Sequence, residues 1–413
     1  MKSVSIVGLA LMLWAGSSQA LTLTEAEELA LAAEIRHEAY TRQAGALREQ
    51  AAAAGALEDP RLTVAARGYP VDTLDPAVGG MAQTFVGLNQ RFPAPGVRTA
   101  RSELEEARAG GYDARARLSV LETLRQVRLL WTELWYWYQS GQVARDHEEH
   151  FRQRRDSVQA AYRSGGASQQ ALFQVRTGLQ RVRESRMEAE QKGAEVRRKL
   201  ERWLNTEVPE LKQLELPEGI DELDRVPADH PELRIAAARA DRHRREQELA
   251  RKSARPDWGL ELGYGFRAGN DDMGRERPDM VSLGVSLELP VFAGGRDLRR
   301  EKAAALKAEA ALSERDDTLR DLRMRRERAG EELQGLEQRL SLMEEQWLPS
   351  ARREAQTTLQ SYQAGSVPFS DVIDTRMRLL ETRLQYDRLK ADRARARVQL
   401  RFLSAVDLKE YSS

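Results

Sequence analysis

The chain has 413 residues, 31% of them charged and 6% aromatic, with 65 basic residues against 65 acidic ones and no cysteine. Zero net charge leaves no global basic field for nucleic acid, and the missing cysteines exclude disulfides, thiolate metal sites and a cysteine nucleophile. Abundant Ala, Glu, Arg and Leu suit long paired helices better than compact cores.

Residues 1–20 carry Lys2, an apolar run from Val4 to Ala15 and the small-residue end Ser18-Gln19-Ala20. That is the pattern of a cleaved secretory signal, and Leu21 is the expected mature start. A membrane anchor is the competing reading, but the run is shorter than the roughly 20 apolar residues a spanning helix needs. No later apolar run is long enough either, so any membrane insertion has to use strands.

Leu23 to Ala56 reads as one helix with Thr24 as its cap, ending before Pro60. A strand pair, 61–67 and 82–92, comes next around a polar loop, and a turn at Phe92-Pro-Ala-Pro-Gly96 leads into an Arg-rich helix. From Arg98 to Tyr162 no proline intervenes, which allows a helix of roughly 95 Å at 1.5 Å per residue. Leu124, Val127, Trp131, Leu134 and Tyr138 recur at spacings of three and four and form a packing seam, in which the aromatic cluster around Trp135 is packing too. His147 and His150 lie one helical turn apart and form a weak metal candidate. A polar helix face explains them as well, since two histidines without further ligands make no site.

A Tyr-x-x-Gly break with Tyr162, Gly165 and Gly166 ends this helix, and a return helix runs from Ser168 to Asn205. The tip lies near 162–168. Residues 206–229 are proline-rich, without clear periodicity, and read as a connector. The pattern then repeats. A helix from Pro231 to Ala254 precedes a second strand pair at 257–267 and 280–289. In the first of these strands Trp258, Leu260, Leu262, Tyr264 and Phe266 share one face against Gly259, Glu261, Gly263, Gly265 and Arg267. In the second, Val281, Leu283, Val285, Leu287 and Leu289 alternate with Ser282, Gly284, Ser286 and Glu288. Both lengths fit the nine to eleven residues of a tilted transmembrane strand. A small soluble sheet is the bland reading; an apolar face ending in aromatics, backed by a small or charged face, favours a barrel wall. Four strands close no barrel, so several chains would have to share one.

A helix from Arg296 to Tyr362, with a bend expected at Pro349, leads to a second tip near 362–368, and a return helix runs from Phe369 to Ala405. Tyr362, Gly365, Arg376 and Leu379 sit two hundred positions after Tyr162, Gly165, Arg176 and Leu179, so the halves 21–205 and 230–413 read as two internal repeats. Asp371 and Asp374 share a face of the last helix. In a lone helix they are ordinary N-terminal acids, whereas about a symmetry axis they would be carboxylate rings. No Gly-x-Ser-x-Gly elbow, P-loop or His-Glu-x-x-His occurs, so nothing argues for an enzyme and no cofactor is expected.

Over essentially the whole mature chain, the two repeats together with DPRLTV, YPVDTLDPAVGGMAQTFVGLNQRFP, SLELPVFAGGR and YQAGSVPFSDVIDTR resemble the TolC-like outer membrane efflux channels. The first-hairpin wording is similar to the branch that serves heavy-metal and drug pumps of the resistance-nodulation-division type. The resemblance implies a mostly α, α+β fold: a homotrimer with four strands per chain closing a 12-stranded barrel in outer membrane lipid, continued by a long α-helical barrel through the periplasm. It implies a passive duct fed by an inner-membrane pump through a periplasmic adaptor, with docking tips at Tyr162, Gly165, Gly166, Gly365, Ser366 and Val367. Asp371 and Asp374 match the family's acidic gate, and Tyr362 matches a latch tyrosine. Val367 stands where well-known members carry an arginine partner in that latch, and Ala171 stands where some have another acid. With no cysteine at the expected mature start, the lipid anchor of many relatives is not expected. A periplasmic coiled-coil scaffold or adaptor without a pore is the alternative, and the strand pairs discriminate the two.

Overall fold

The computed structural model describes residues 21–209, 214–217, 219–220, 225–288 and 294–410. The expected signal at 1–20, Leu289 with the turn as far as 293, and parts of the connector lie outside the described residues. In chain order the elements are helices α1 (Leu23–Ala32) and α2 (Ile35–Gly55), strands β1 (Arg61–Arg67) and β2 (Gln83–Phe92), helices α3 (Val97–Arg163), α4 (Gln169–Leu204) and α5 (Pro231–Ser253), strands β3 (Trp258–Phe266) and β4 (Met280–Leu287), and helices α6 (Gly294–Leu342), α7 (Leu348–Gln363), α8 (Phe369–Ser404) and α9 (Asp407–Glu410), with a π turn at Met343–Trp347 before α7. At 67 residues α3 is about 100 Å long. Among the described residues no helix is long and apolar enough to cross a membrane. Two compact units form, one of residues up to Ile35, Leu118–His230 and from Asp321 on, the other of Arg36–Arg117 and Pro231–Arg320.

The second unit holds one antiparallel sheet in the order β1-β2-β3-β4. Its register lines up Leu62, Leu88, Leu262 and Leu283 in one row across all four strands, and Val64, Val86, Tyr264 and Val281 in the next. Alternation then puts Thr63, Gly87, Gly263 and Ser282 on the opposite face. The glycines there make room for a side chain: Phe85 is 2% exposed, and a Cβ on Gly87 or Gly263 would come within 2.5 Å of its ring. The expected small or charged face therefore contains one large apolar ring, and Arg67 stacks over it at 3.4 Å.

In the first unit the sequence misplaces two helix boundaries. Thr22, not Thr24, caps α1: its hydroxyl accepts the Glu25 amide while Glu25 reaches back to the Thr22 amide, a reciprocal pair that satisfies two end donors. The expected single helix to Ala56 breaks at Ala33 and Glu34, where the Glu34 carboxylate accepts a hydrogen bond from Thr123 of α3. Buried Arg128 of α3 donates to Glu27 of α1 at 2.7 Å and to Asp407 of α9 at 2.8 Å, and Arg401 also donates to Asp407 at 2.7 Å. Burial opposes the Arg128 charge, but hydrogen bonds to both carboxylates prevail and raise its pKa, so the guanidinium stays charged. Val127, Trp131, Leu134 and Trp135 of the expected seam are buried in a core that also takes Val208 and Leu214 of the connector, and the Trp131 indole donates to the Glu215 carbonyl at 2.9 Å. The described connector residues contain no helix or strand. At Pro349 the chain stays helical, and the wide π turn just ahead of it takes up the irregularity.

Candidate functional site

Both helical tips lie in the first unit and share one backbone solution. After α3, Gly165 adopts φ +79°, its amide donates to the Tyr162 carbonyl at 3.1 Å, and the Gly166 amide donates to the Ala161 carbonyl at 2.7 Å. After α7, Gly365 adopts φ +74°, its amide donates to the Tyr362 carbonyl at 2.9 Å, and the Ser366 amide donates to the Ser361 carbonyl at 2.9 Å. This pair of bonds is a Schellman cap, and glycine suits its left-handed position because it carries no Cβ.

The caps of the two return helices differ. Ser168 receives the Ala171 amide at 3.1 Å on its hydroxyl and so caps α4, whereas Pro368 precedes α8 and offers no side-chain acceptor. The Asp371 amide donates to the Pro368 carbonyl at 3.2 Å, and without a side-chain cap the first turn of α8 favours negative charge. Asp371 is in that turn, half-buried, with the Ser370 hydroxyl 3.1 Å from its carboxylate, and Asp374 one turn on is exposed. Neither has an ion-pair partner among the described residues. Val372, Ile373, Leu379 and Leu380 bury the rest of this end of α8.

The two tip tyrosines have different surroundings. Tyr362 packs edge-on against Phe369 at 5.2 Å beside a core of Val158, Leu172, Val175, Val372 and Ile373, whereas Tyr162 is 43% exposed. Among the described residues neither hydroxyl has a hydrogen-bond partner. Val367 is half-buried, and Ala171 faces the same core. No pattern in the sequence singled out Phe369; its place directly after Pro368, at the first position of α8, is the available signal.

The structure separates the two histidines. His150 is exposed, but His147 is 3% exposed, so a solvated polar face does not account for it. Burial, aided by Arg383, His150 and Arg376, lowers its pKa to about 4 and keeps it neutral. Among the described residues no three His, Asp or Glu side chains converge as a metal site.

In the other unit the face marked by Trp258, Leu260, Leu262, Tyr264 and Phe266 is exposed, and it continues through Val281, Leu283, Val285 and Leu287, of which Val285 is 73% open. Rings flank this face at both ends: Phe92 stacks on Trp258 at 4.1 Å, and Tyr264 lies 4.6 Å from Phe266. The nine residues of β3 span about 27 Å along the strand.

Residues 223–406 match the family model described as outer membrane efflux protein. A search of curated protein sequences gave no match. Among solved structures, CusC shares the fold with a TM-score of 0.77 and 18% identity, over 92% of this chain and 91% of its own. VceC of Vibrio cholerae gives 0.77 and 16%, over 92% and 96%. The open state of the MtrE outer membrane channel of Neisseria gonorrhoeae gives 0.74 and 14%, over 93% and 88%. The likeness in fold thus runs through both halves of the chain, and its residues 223–406 are similar to the outer membrane efflux protein family.

Proposed function

We propose that this chain is the outer membrane channel of a tripartite efflux system, a passive homotrimeric duct whose two structural repeats, 21–205 and 230–413, each contribute a strand pair and a helical hairpin. The observation that carries the reading is the sheet. Its exposed face is a largely apolar surface flanked by aromatic rings, and its backing is small, polar or charged apart from Phe85 and Met280. Three copies would supply twelve strands and pair the free edges of β1 and β4, which lipid does not tolerate unpaired. Substrate would come from an inner-membrane pump through a periplasmic adaptor seated at the Gly165 and Gly365 tips.

Asp371 and Asp374 form the gate in this reading. They are unpaired on an uncapped helix start, and repeated about an axis they become two carboxylate rings that attract cations. Tyr362, whose hydroxyl has no partner among the described residues, is the latch residue. Single-channel recording in planar bilayers tests the gate. Asp371→Ala with Asp374→Ala is expected to abolish block by multivalent cations added from the tip side and to raise closed-state conductance. An unchanged double variant rules these residues out as the gate.

A further inference from the structure

Between α3 and α8, behind the turn that carries Asp374, lies a half-enclosed cleft of about 250 Å³. Its polar lining is His147, His150, Gln153, Arg154 and Ser157 from α3 and Arg376 from α8; Phe151, Val372 and Ile373 give it an apolar floor. Among the described residues no carboxylate lines it. Three nearby acids of α3 are occupied elsewhere: Glu148 is buried against Arg152, Arg183 and Arg186, Glu149 accepts the Gln153 amide at 3.1 Å, and Asp156 pairs with Arg155, while Asp146 is exposed and does not line the cleft.

His147, 97% buried, has no hydrogen-bond partner among the described residues, and neither have His150, Arg154 and Arg376. An arginine partly withdrawn from water, as Arg154 and Arg376 are, gains from an anionic partner. Burial and the neighbouring Arg154 both lower the pKa of Arg376, as expected of cations that lack an anion between them. Arg383, which also faces His147, is partly offset by Asp387 on its own helix.

Two arginines beside the histidine pair decide what the pair is for. A metal ion would need further ligands and would be repelled by both guanidinium groups. An oxyanion would take charge-assisted hydrogen bonds from both of them, and a third from an imidazole. The cleft is smaller than a typical drug-sized pocket, and its apolar floor suits a compact hydrocarbon body. We propose that this cleft is a binding site for a small organic oxyanion, a carboxylate or sulfonate on an apolar group, which joins α3 to α8 behind the acidic end of α8. The site stands on this geometry and does not depend on the duct reading.

Isothermal titration of the full-length protein in detergent, with benzoate as probe and neutral benzamide and zinc chloride as comparisons, tests the site. Benzoate is expected to bind and the other two are not. Arg376→Gln and Arg154→Gln should each weaken benzoate at least tenfold while Arg42→Gln, on the exposed surface of α2, leaves it unchanged. Ser157→Glu, which puts a carboxylate at the rim, should compete with the probe and abolish binding without loss of fold, checked by thermal unfolding. Bound benzoate should also raise the titration midpoint of the His147 ring in NMR spectra. Equal binding of benzamide, zinc binding that needs His147, or benzoate affinity indifferent to both arginines overturns the proposal. So does the absence of any benzoate binding, including the case in which an acid of a second copy already fills the cleft.

Discussion

His147 is the residue at which burial and charge most directly oppose each other. An unfolded histidine takes its proton near pH 6.5, but here burial and the surrounding Arg383, His150 and Arg376 hold it neutral down to about pH 4. Between those values the folded state binds fewer protons than the unfolded one, so stability falls as the pH drops through the window. By pH 5 the loss should reach about 2 kcal/mol relative to pH 8. Urea unfolding at the two pH values measures it. His147→Gln should remove most of the difference, and an equal acid loss in the variant would show that other groups carry it. The sequence displays His147 and His150 as an ordinary helical pair, because spacing along α3 does not reveal that α8 covers one and leaves the other in water. The basic cleft is hidden for the same reason: Arg376 is far along the chain from Arg154, and only packing brings them to one wall.

At the scale of elements, the helical tips were the most legible part of the chain. Tyr-x-x-Gly after a long proline-free pattern specifies a helix that ends in a left-handed residue, and the structure puts Gly165 and Gly365 at φ +79° and +74°. Neither would bring a new Cβ within 4 Å of another atom, so substitution there acts on the backbone alone. Gly365→Ala should therefore destabilise the tip by about 1 kcal/mol, with Gly365→Asn costing less, since asparagine tolerates that region better. Amide hydrogen exchange in the last turn of α7 reads the effect, and protection unchanged in the alanine variant would count against strain at Gly365. What the motif does not encode is the difference between the tips. Matching tyrosines and glycines predict matching turns, whereas the packing of Tyr362 on Phe369 and the exposure of Tyr162 depend on the start of each return helix: Pro368-Phe369 in one case, Ser168-Gln169 in the other. The cap at Thr22 is concealed for a related reason. Thr24 has the expected side chain, but the carboxylate that completes the cap is at Glu25, three residues after Thr22.

For the molecule as a whole, the question is what covers the apolar face of the sheet. Period-two alternation made the faces of β3 and β4 readable, but the row of Leu62, Leu88, Leu262 and Leu283 exists only once the register is known, because β1 and β2 are too irregular in sequence to fix their own alignment. That row separates a lipid-embedded wall from a sheet in water. At the middle of a membrane, an arginine on the lipid face costs about 2 to 4 kcal/mol, whereas on a solvated surface it stays within roughly 0.5 kcal/mol. Leu262→Arg should accordingly lower the stability of protein folded into lipid vesicles by about 2 to 4 kcal/mol. Urea titration, followed by the mobility of unheated samples on gels, would measure this. The unheated band should run as a trimer in the parent and weaken in the variant, because the twelve-stranded wall and the subunit contacts would form together. A Leu262→Arg protein as stable as its parent, or a parent that folds as a monomer without lipid, would mean that water covers this face and that the sheet closes no barrel.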